Sequence, residues 1–170
     1  MILQLAGRVV KWNPGKLAYA VTALFLILVL VHVNKNKDYY YHPNYDLVMR
    51  KVYGNNPFPE AKRIADYIKA NSKPGDGLVS IGSEPQLYFY TGIDCPSRHA
   101  YFTSLVFNST EHKTWQREFV ADVEKAGPRY IVFFNHPISL MVQPNTDRYI
   151  WEWYDQYIKN YNLVGAIEMP

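Results

Sequence analysis

Polar side chains that could hold a ligand follow the predicted strands at the points where those strands end. Ser83 and Glu84 come directly after an apolar run, Asn135 follows a second run, and Arg98 and Tyr101 lie in the segment between. In open α/β sheets, ligands usually bind beyond the carboxyl ends of the strands. The sequence therefore predicts a ligand-binding edge formed by these five residues.

The same region has a structural interpretation, in which Ser83, Glu84 and Gln86 begin a helix. Ser83 can accept a hydrogen bond from the amide of Gln86, and the Gln86 side chain can reach back, as in a capping box. The amino terminus of such a helix would attract an anion, but Glu84 already places a negative charge there. Because capping accounts for all three residues, we favour the structural interpretation over a ligand site.

The sequence lacks the signatures of common cofactor and metal sites. The run Gly82-Ser83-Glu84 has no second and third glycine to approach a pyrophosphate, and no Walker loop is present. The histidines neither pair at helical spacing nor combine with cysteine or acids at zinc-site spacing; they are His32, His42, His99, His112 and His136. We therefore predict no metal site and no cofactor in this chain.

Two other motifs add little chemistry. Cys95 is the single cysteine, so an internal disulfide cannot form, and nothing beside it in sequence would lower the pKa of its thiol. The run Asn108-Ser109-Thr110 matches a glycosylation sequon, which matters only in a eukaryotic secretory setting. We interpret Cys95 as an ordinary thiol.

An alternation of helices and strands would bring the five candidate ligand-binding residues to one edge of a sheet. The helices are predicted from Pro59-Glu60, over Glu84–Thr91 ending at Gly92, over Glu111–Ala126 ending at Gly127, and after a cap at Asn145. The strands are predicted over Gly77–Gly82, Arg98–Phe102, Arg129–Phe134 and Asn162–Glu168. Such alternation predicts an α/β fold: a small, Rossmann-like, mainly parallel sheet of three to four strands with helices on its faces.

A transmembrane helix is predicted before this domain. Leu17–Val33 contains no formal charge and spans about 25 Å as a helix, close to the thickness of the hydrocarbon core. The alternatives are a buried core helix and a cleavable signal peptide, but no small-residue cleavage site follows Val33. The domain organisation is therefore a basic segment over 1–16, a transmembrane helix over 17–33, a juxtamembrane linker over 34–56 and an α/β domain over 57–170.

The charge distribution excludes one class of partner. The net charge is +3, and the basic residues Arg8, Lys11 and Lys16 precede the apolar run without acids beside them. The chain after Val33 is neutral overall, so it lacks the basic surface that nucleic-acid binding needs. We expect the lipid bilayer, and no nucleic acid, as a partner. The flanking lysines Lys35 and Lys37 leave the orientation of the helix almost undecided by charge.

A series of short motifs occurs in a fixed order. They occupy residues 56–61 (NPFPEA), 64–68 (IADYI), 73–76 (KPGD), 82–85 (GSEP), 88–90 (YFY), 128–132 (PRYIV), 157–159 (YIK) and 163–165 (LVG). This series resembles the C-terminal part of bacterial family-39-like glycosyltransferases. These belong to the C-type superfamily, with the protein O-mannosyltransferases and the lipid A aminoarabinose transferase. The likeness covers about Asn56 to Glu168 and the membrane helix before it.

The resemblance implies an enzyme that moves a sugar from a polyprenyl-phosphate donor to an acceptor outside the cytoplasm. It places the chain in the plasma (inner) membrane as a single span, with a cytoplasmic amino terminus and an extracytoplasmic, periplasmic α/β domain. The partners it implies are the transmembrane portion of the transferase, or another membrane protein, and a polyprenyl-phosphate sugar or glycan acceptor.

This chain departs from the family pattern at one point. The family's catalytic acid lies in the first extracytoplasmic loop among many spans, and no residue here matches it. The resemblance thus implies either a fragment of a longer transferase or a detached, membrane-anchored tail domain, and in neither case a chain that is catalytic alone. The alternatives are a stand-alone membrane-anchored module that binds a glycan or protein, and an independent Rossmann-like enzyme, which the missing glycine fingerprint disfavours.

Overall fold

A computed structural model describes residues 14–41 and 44–169. The chain divides into two units, Met1–Val48 and Met49–Pro170, and the division falls inside the predicted linker. That linker is largely helical, because it contains α2 (Lys37–Tyr41) and α3 (Tyr45–Tyr53). Most of the predicted basic segment, with Arg8 and Lys11, lies outside the described residues, as does His42.

The first unit is dominated by a long apolar helix, α1 (Pro14–Lys35). Its stretch Gly15–Lys35 is long and apolar enough to cross a membrane by length and composition, and its apolar window is not buried inside the protein. Leu24, Leu26 and Leu30 each expose more than half of their surface. The interpretation of this segment as a buried core helix is therefore wrong.

The second unit contains all the described strands. Its elements after α3 are α4 (Phe58–Asn71), β1 (Leu78–Ile81), α5 (Gln86–Thr91), α6 (Thr103–Val106), α7 (His112–Ala126), β2 (Tyr130–Phe133), α8 (Pro137–Leu140) and α9 (Tyr149–Tyr157), followed by a 3₁₀ turn over Ile158–Asn160. The predicted positions of α4, α5, α7, β1, β2 and α9 are confirmed to within a few residues. Gly92 and Gly127 end α5 and α7 in the left-handed conformation, as predicted.

The described sheet has two parallel strands. β1 pairs with β2 in register from Leu78 opposite Tyr130 to Ile81 opposite Phe133. The backbone between them passes through α5, α6 and α7, which supplies the long crossover that parallel strands require. The carboxyl ends of both strands therefore lie at one edge, as the sequence predicted.

Helices cover both faces of this sheet, but the described chain is mainly helical, and the Rossmann-like sheet that the sequence predicts is reduced to two parallel strands. On one face, Leu78 and Val132 pack with apolar residues of α4 and α5, among them Ile68 and Leu87. On the other face, β1 and the neighbouring Ile131 contact α6, α7 and α9; the buried residues there are Val79, Ile81, Phe102, Leu105, Val106, Phe119, Val123 and Ile150. Alternating side chains along each strand thus enter opposite cores.

The prediction of three to four strands is wrong for the described residues. Residues 98–102 form no strand, because Phe102 enters the core just before α6 and the Arg98 side chain pairs with Glu118 on the surface of α7. Residues 162–169 have no regular secondary structure, and Leu163 is 88% exposed. An apolar composition alone does not make a strand when no neighbour supplies the ladder hydrogen bonds.

The predicted start of the last helix is also wrong. Asn145 does not cap α9, which begins after Arg148 without a side-chain cap on that residue. Instead, the Asp147 carboxylate accepts a hydrogen bond from the amide of Tyr149 at 2.9 Å. This bond, with the Lys113 ammonium 3.3 Å away, keeps the pKa of Asp147 below its usual value.

Candidate functional site

The chain turns sharply where β1 ends, and this turn depends on Gly82. Gly82 has a φ of +153°, and a Cβ added there would lie 2.6 Å from both Glu84 Oε2 and Ser139 Oγ. It would also lie 2.8 Å from the Cβ of Phe134, directly after β2. A side chain therefore cannot enter the space between the two strand ends, and only glycine fits.

Glu84 is buried beside this turn, with 1% of its surface exposed. The Ser139 hydroxyl, in α8, donates a hydrogen bond to Glu84 Oε2. Burial raises the pKa of Glu84 to about 7, and the hydrogen bond from Ser139 offsets part of that rise. The carboxyl group is thus poised to change its charge near neutral pH.

Ser83 joins the same turn to two distant segments. Its amide donates to Ser139, with the carbonyl oxygen and the hydroxyl oxygen each at 3.1 Å. Its hydroxyl lies 2.5 Å from Thr103 Oγ1 and accepts a hydrogen bond from the Thr103 amide at 3.0 Å. We call Gly82, Ser83, Glu84, Thr103 and Ser139 the strand-end cluster; it ties the end of β1 to the starts of α6 and α8.

The capping-box interpretation of these residues is wrong. α5 begins at Gln86 after Pro85 without a side-chain cap, and the Ser83 hydroxyl is engaged by Thr103 instead. The Gln86 Nε2 is buried without a hydrogen-bond partner, so it does not reach back as a capping box requires. Glu84 is held by α8 and not by the amino terminus of α5.

The five predicted ligand-binding residues do not converge. Ser83 and Glu84 lie in the strand-end cluster, and Asn135 is exposed just after β2. Arg98 donates to the Glu118 carboxylate at 2.5 Å on the surface of α7, where the His99 ring nitrogen lies 3.0 Å from the same oxygen. Hydrogen bonds from His99 and Arg98 lower the pKa of Glu118.

Tyr101 lies two residues before Thr103 of the strand-end cluster, and about half of its surface is exposed. Its carbonyl accepts from the Ser104 hydroxyl at 2.8 Å, so its backbone belongs to the turn that leads into α6. Tyr101 therefore leads into α6 beside Thr103 of the strand-end cluster, whereas the Arg98 side chain pairs with Glu118 of α7.

Sequence reasoning missed Ser139 and Thr103. They lie 55 and 20 residues from their partners Glu84 and Ser83, and neither belongs to a motif. The sequence offers only an indirect indication of these partners. A buried carboxyl group needs a hydrogen-bond donor, and the uncharged segment that follows β2 lies next to the end of β1 in a parallel pair and can supply one.

Tyr88 covers the outer edge of β1. Its hydroxyl accepts a hydrogen bond from the Ser80 amide at 2.9 Å, an amide that points away from β2. Burial, and then the neighbouring Cys95, raise the pKa of Tyr88 above its usual value. Cys95 is a partly exposed free thiol beside the Tyr88 hydroxyl.

Within residues 14–41 and 44–169, no group of three or more His, Cys, Asp and Glu side chains could hold a metal ion. Comparison of the chain with family models, with curated protein sequences and with solved structures found no match. The hydrogen bonds of the strand-end cluster are made largely within it, so its arrangement cross-links three segments of the domain.

Proposed function

We propose that this chain is the membrane-anchored, extracytoplasmic tail domain of a polyprenyl-phosphate-sugar-dependent glycosyltransferase, and that it supplies no catalytic residue. The observation that carries the proposal is the pairing of an exposed apolar helix, α1, with a separate α/β unit. That unit holds the whole motif series on which the resemblance rests.

The positions of the motif residues support this proposal. Gly82 and Glu84 of the GSEP motif form the turn that closes the strand-end edge, and Tyr88 of the next motif covers the edge of β1. Arg129 of the PRYIV motif pairs with Asp76 of the KPGD motif at 2.9 Å. Motifs that lie far apart in sequence are thus in contact within one unit, which supports the proposal.

The chemistry of the strand-end cluster supports a role without catalysis. A general acid must reach its substrate, but Glu84 is buried and hydrogen-bonded to Ser139. A single membrane helix also cannot enclose a site for a lipid phosphate, so the sugar donor would bind to other membrane helices. Because the five predicted ligand-binding residues do not converge, a stand-alone module that binds a ligand at this edge is the weaker proposal.

The first experiment tests the anchor and its orientation. Cys95 is the single cysteine and is partly exposed, so a membrane-impermeant maleimide reports which side the domain occupies. We expect labelling of Cys95 in intact cells, and no labelling of the Cys95→Ser variant. Labelling only after lysis would contradict an extracytoplasmic domain.

A matched pair of double variants tests the membrane helix itself. Replacing Leu26 and Val29 by Arg should release the chain from membranes washed at alkaline pH, since each arginine at a helix centre costs about 3 kcal/mol. Replacing Leu163 and Val164 by Arg, on the exposed tail, should leave the chain in the membrane fraction.

The non-catalytic role has its own test. The purified chain should transfer no sugar from a polyprenyl-phosphate sugar when the products are analysed by mass spectrometry. Transfer by the chain alone would contradict a non-catalytic role and would direct attention to Glu84 as an acid.

A further inference from the structure

Three consecutive tyrosines follow the apolar helix α1 and are exposed. Tyr39, Tyr40 and Tyr41 belong to α2, and each exposes about half or more of its surface. The ring centroids of Tyr39 and Tyr40 are 5.1 Å apart, and those of Tyr40 and Tyr41 are 6.4 Å apart. We call these three residues the tyrosine cluster. α1 and α2 belong to one compact unit of the chain, so the cluster has a defined place on α1.

The tyrosine cluster folds back onto the last turns of α1. The Tyr40 hydroxyl lies 3.3 Å from His32 Nε2, and the two rings meet edge to face with their centroids 6.3 Å apart. Asn36 forms the bend, because its side chain donates to the carbonyl of His32 at 2.9 Å and its own carbonyl accepts from the amide of Tyr39 at 2.9 Å. Tyr40 therefore lies beside His32.

The position of His32 sets the depth of the tyrosine cluster in a membrane. The apolar stretch Leu17–Val33 spans about 25 Å as a helix, close to the thickness of about 30 Å of the hydrocarbon core. When α1 crosses a bilayer, the two ends of this stretch therefore lie near the two boundaries of the core. His32 is one residue from the end of the stretch. A side chain that contacts His32 thus lies at the boundary between hydrocarbon and headgroups.

The side chains at this boundary match the chemistry of lipid headgroups. A tyrosine ring is apolar and its hydroxyl is polar, which is why tyrosine is enriched where hydrocarbon meets water. Lys35 and Lys37 are exposed on either side of the bend at Asn36, with one acid, Asp38, beside them. Lysines near helix ends extend their ammonium groups to the headgroup layer. Lysine is depleted at protein–protein interfaces, so its presence beside the tyrosines favours lipid as the partner.

We propose that the tyrosine cluster, with Lys35 and Lys37, is a lipid-binding surface that lies in the headgroup layer and holds the end of α1 at that depth. The rings pack against the first carbons of the acyl chains, while the hydroxyl and ammonium groups donate hydrogen bonds to phosphate and ester oxygens. The inference rests on the proposed function in one respect, that α1 is a membrane helix. It requires neither the transferase role nor a particular placement of the α/β unit.

The accessibility of spin labels measures the depth of these side chains. The full chain in the Cys95→Ser background carries one new cysteine, Tyr39→Cys or Tyr41→Cys, and is reconstituted in vesicles of phosphatidylcholine and phosphatidylglycerol. A water-soluble nickel chelate should collide with a nitroxide at either position more often than with one at Leu26→Cys, in the middle of α1. It should collide there less often than at Tyr67→Cys, the matched control, because Tyr67 is a similarly exposed tyrosine (47%) in the second unit.

The label at position 26 keeps this proposal distinct from the anchor. Nickel collisions at positions 39 and 41 as frequent as at position 67, with position 26 still shielded, would overturn the lipid-binding surface and leave the anchor intact. Position 26 as accessible as position 67 would overturn the anchor, and the lipid-binding surface with it.

A second variant tests the contact that folds the tyrosine cluster onto α1. Adding Tyr40→Ala to the Tyr41→Cys chain removes the ring and the hydroxyl beside His32, so the nickel collision rate at position 41 should rise toward the rate at position 67. Tyr19→Ala, at an exposed tyrosine in the first half of α1, is the control and should leave the rate at position 41 unchanged. Equal rates with and without Tyr40→Ala would contradict the role of Tyr40 in holding α2 at the boundary.

Dilution of the chain in the vesicles separates lipid from protein as the covering partner. Shielding of positions 39 and 41 by lipid should persist when the lipid-to-protein ratio is raised about ten-fold, because contacts between copies of the chain weaken by mass action and contacts with lipid do not. Shielding that is lost on dilution would mean that a second copy covers the tyrosine cluster, and would overturn the assignment to lipid.

Discussion

The Ser139 hydroxyl and the Glu84 carboxylate, separated by 55 residues in sequence, form a buried hydrogen bond between the end of β1 and α8. Each residue exposes 1% of its surface. Because this pair is excluded from water, the protonation of Glu84 is linked to the stability of the domain.

The first prediction concerns this linkage. The pKa of Glu84 is raised from 4.5 to about 7 in the folded protein, so the folded state binds more protons than the unfolded state between these values. The free energy of unfolding should therefore fall as pH rises from 4.5 to 7, by at most about 3 kcal/mol. Denaturant unfolding in mild detergent, repeated across this pH range, measures the slope.

Glu84→Gln provides the control for that slope. The amide keeps a hydrogen-bond acceptor for Ser139 and cannot ionise, so the difference between variant and wild type isolates Glu84 from the other titrating groups. We expect Glu84→Gln to be the more stable protein at pH 8, with the advantage disappearing near pH 5. A difference that does not change with pH would show that Glu84 titrates normally.

The second prediction concerns the turn at Gly82. Gly82→Ala would place a methyl group 2.6 Å from Glu84 Oε2 and Ser139 Oγ, so the strand-end cluster must open. We expect a loss of about 3 kcal/mol in the free energy of unfolding. Gly165→Ala is the matched control, because nothing lies within 4 Å of the added Cβ, and it should change stability by less than about 0.5 kcal/mol.

The third prediction concerns Gln116, which is fully buried between three elements. Its Nε2 donates to the carbonyl of Leu105 at 2.8 Å, and its Oε1 accepts from the amide of Ile150 at 3.2 Å. Gln116→Leu leaves both backbone groups unpaired in the core, which should cost about 2–4 kcal/mol in denaturant unfolding. Gln156→Leu, at an exposed position of α9, should be nearly neutral; equal effects of the two substitutions would refute the bridging role.

The fourth prediction concerns Tyr88. Tyr88→Phe removes the acceptor of the Ser80 amide and should lower the free energy of unfolding by about 1–2 kcal/mol. Hydrogen exchange of the Ser80 amide should accelerate more than that of its neighbours in β1. The control is Tyr67→Phe, at an exposed site, where no measurable change in either quantity is expected.

Local sequence patterns predict most of the helices and strands of the domain. The features that they fail to predict depend on contacts between residues far apart in sequence. Apolar spacing and Gly127 locate α7 because a helix is specified by residues close in sequence. The role of Ser83 could not be predicted, since a serine before Pro85 and Gln86 has the pattern of a cap, and only the tertiary fold brings Thr103 to it.

In the candidate site, too, local patterns predict part of the arrangement and long-range contacts determine the rest. The sequence identifies the strand-end edge because parallel strands end on one side, and Ser83 and Glu84 do lie there. It does not reveal that Arg98 pairs with Glu118 on another surface, which depends on the path of the loop between α5 and α6. The residues that close the edge, Thr103 and Ser139, carry no local signature.

The Tyr88 hydroxyl makes the two edges of the sheet unequal. At β1, the Tyr88 hydroxyl accepts the hydrogen bond of the Ser80 amide, so a strand from another molecule would have to displace Tyr88 before pairing there. In the described part of the chain, no comparable side-chain hydrogen bond covers the opposite edge along Ile131 and Phe133, and Tyr161 donates to the carbonyl of Pro128, two residues before β2, at 2.7 Å. We therefore expect a strand that enlarges the sheet to add more readily at β2 than at β1, where the hydrogen bond between Tyr88 and Ser80 must first break.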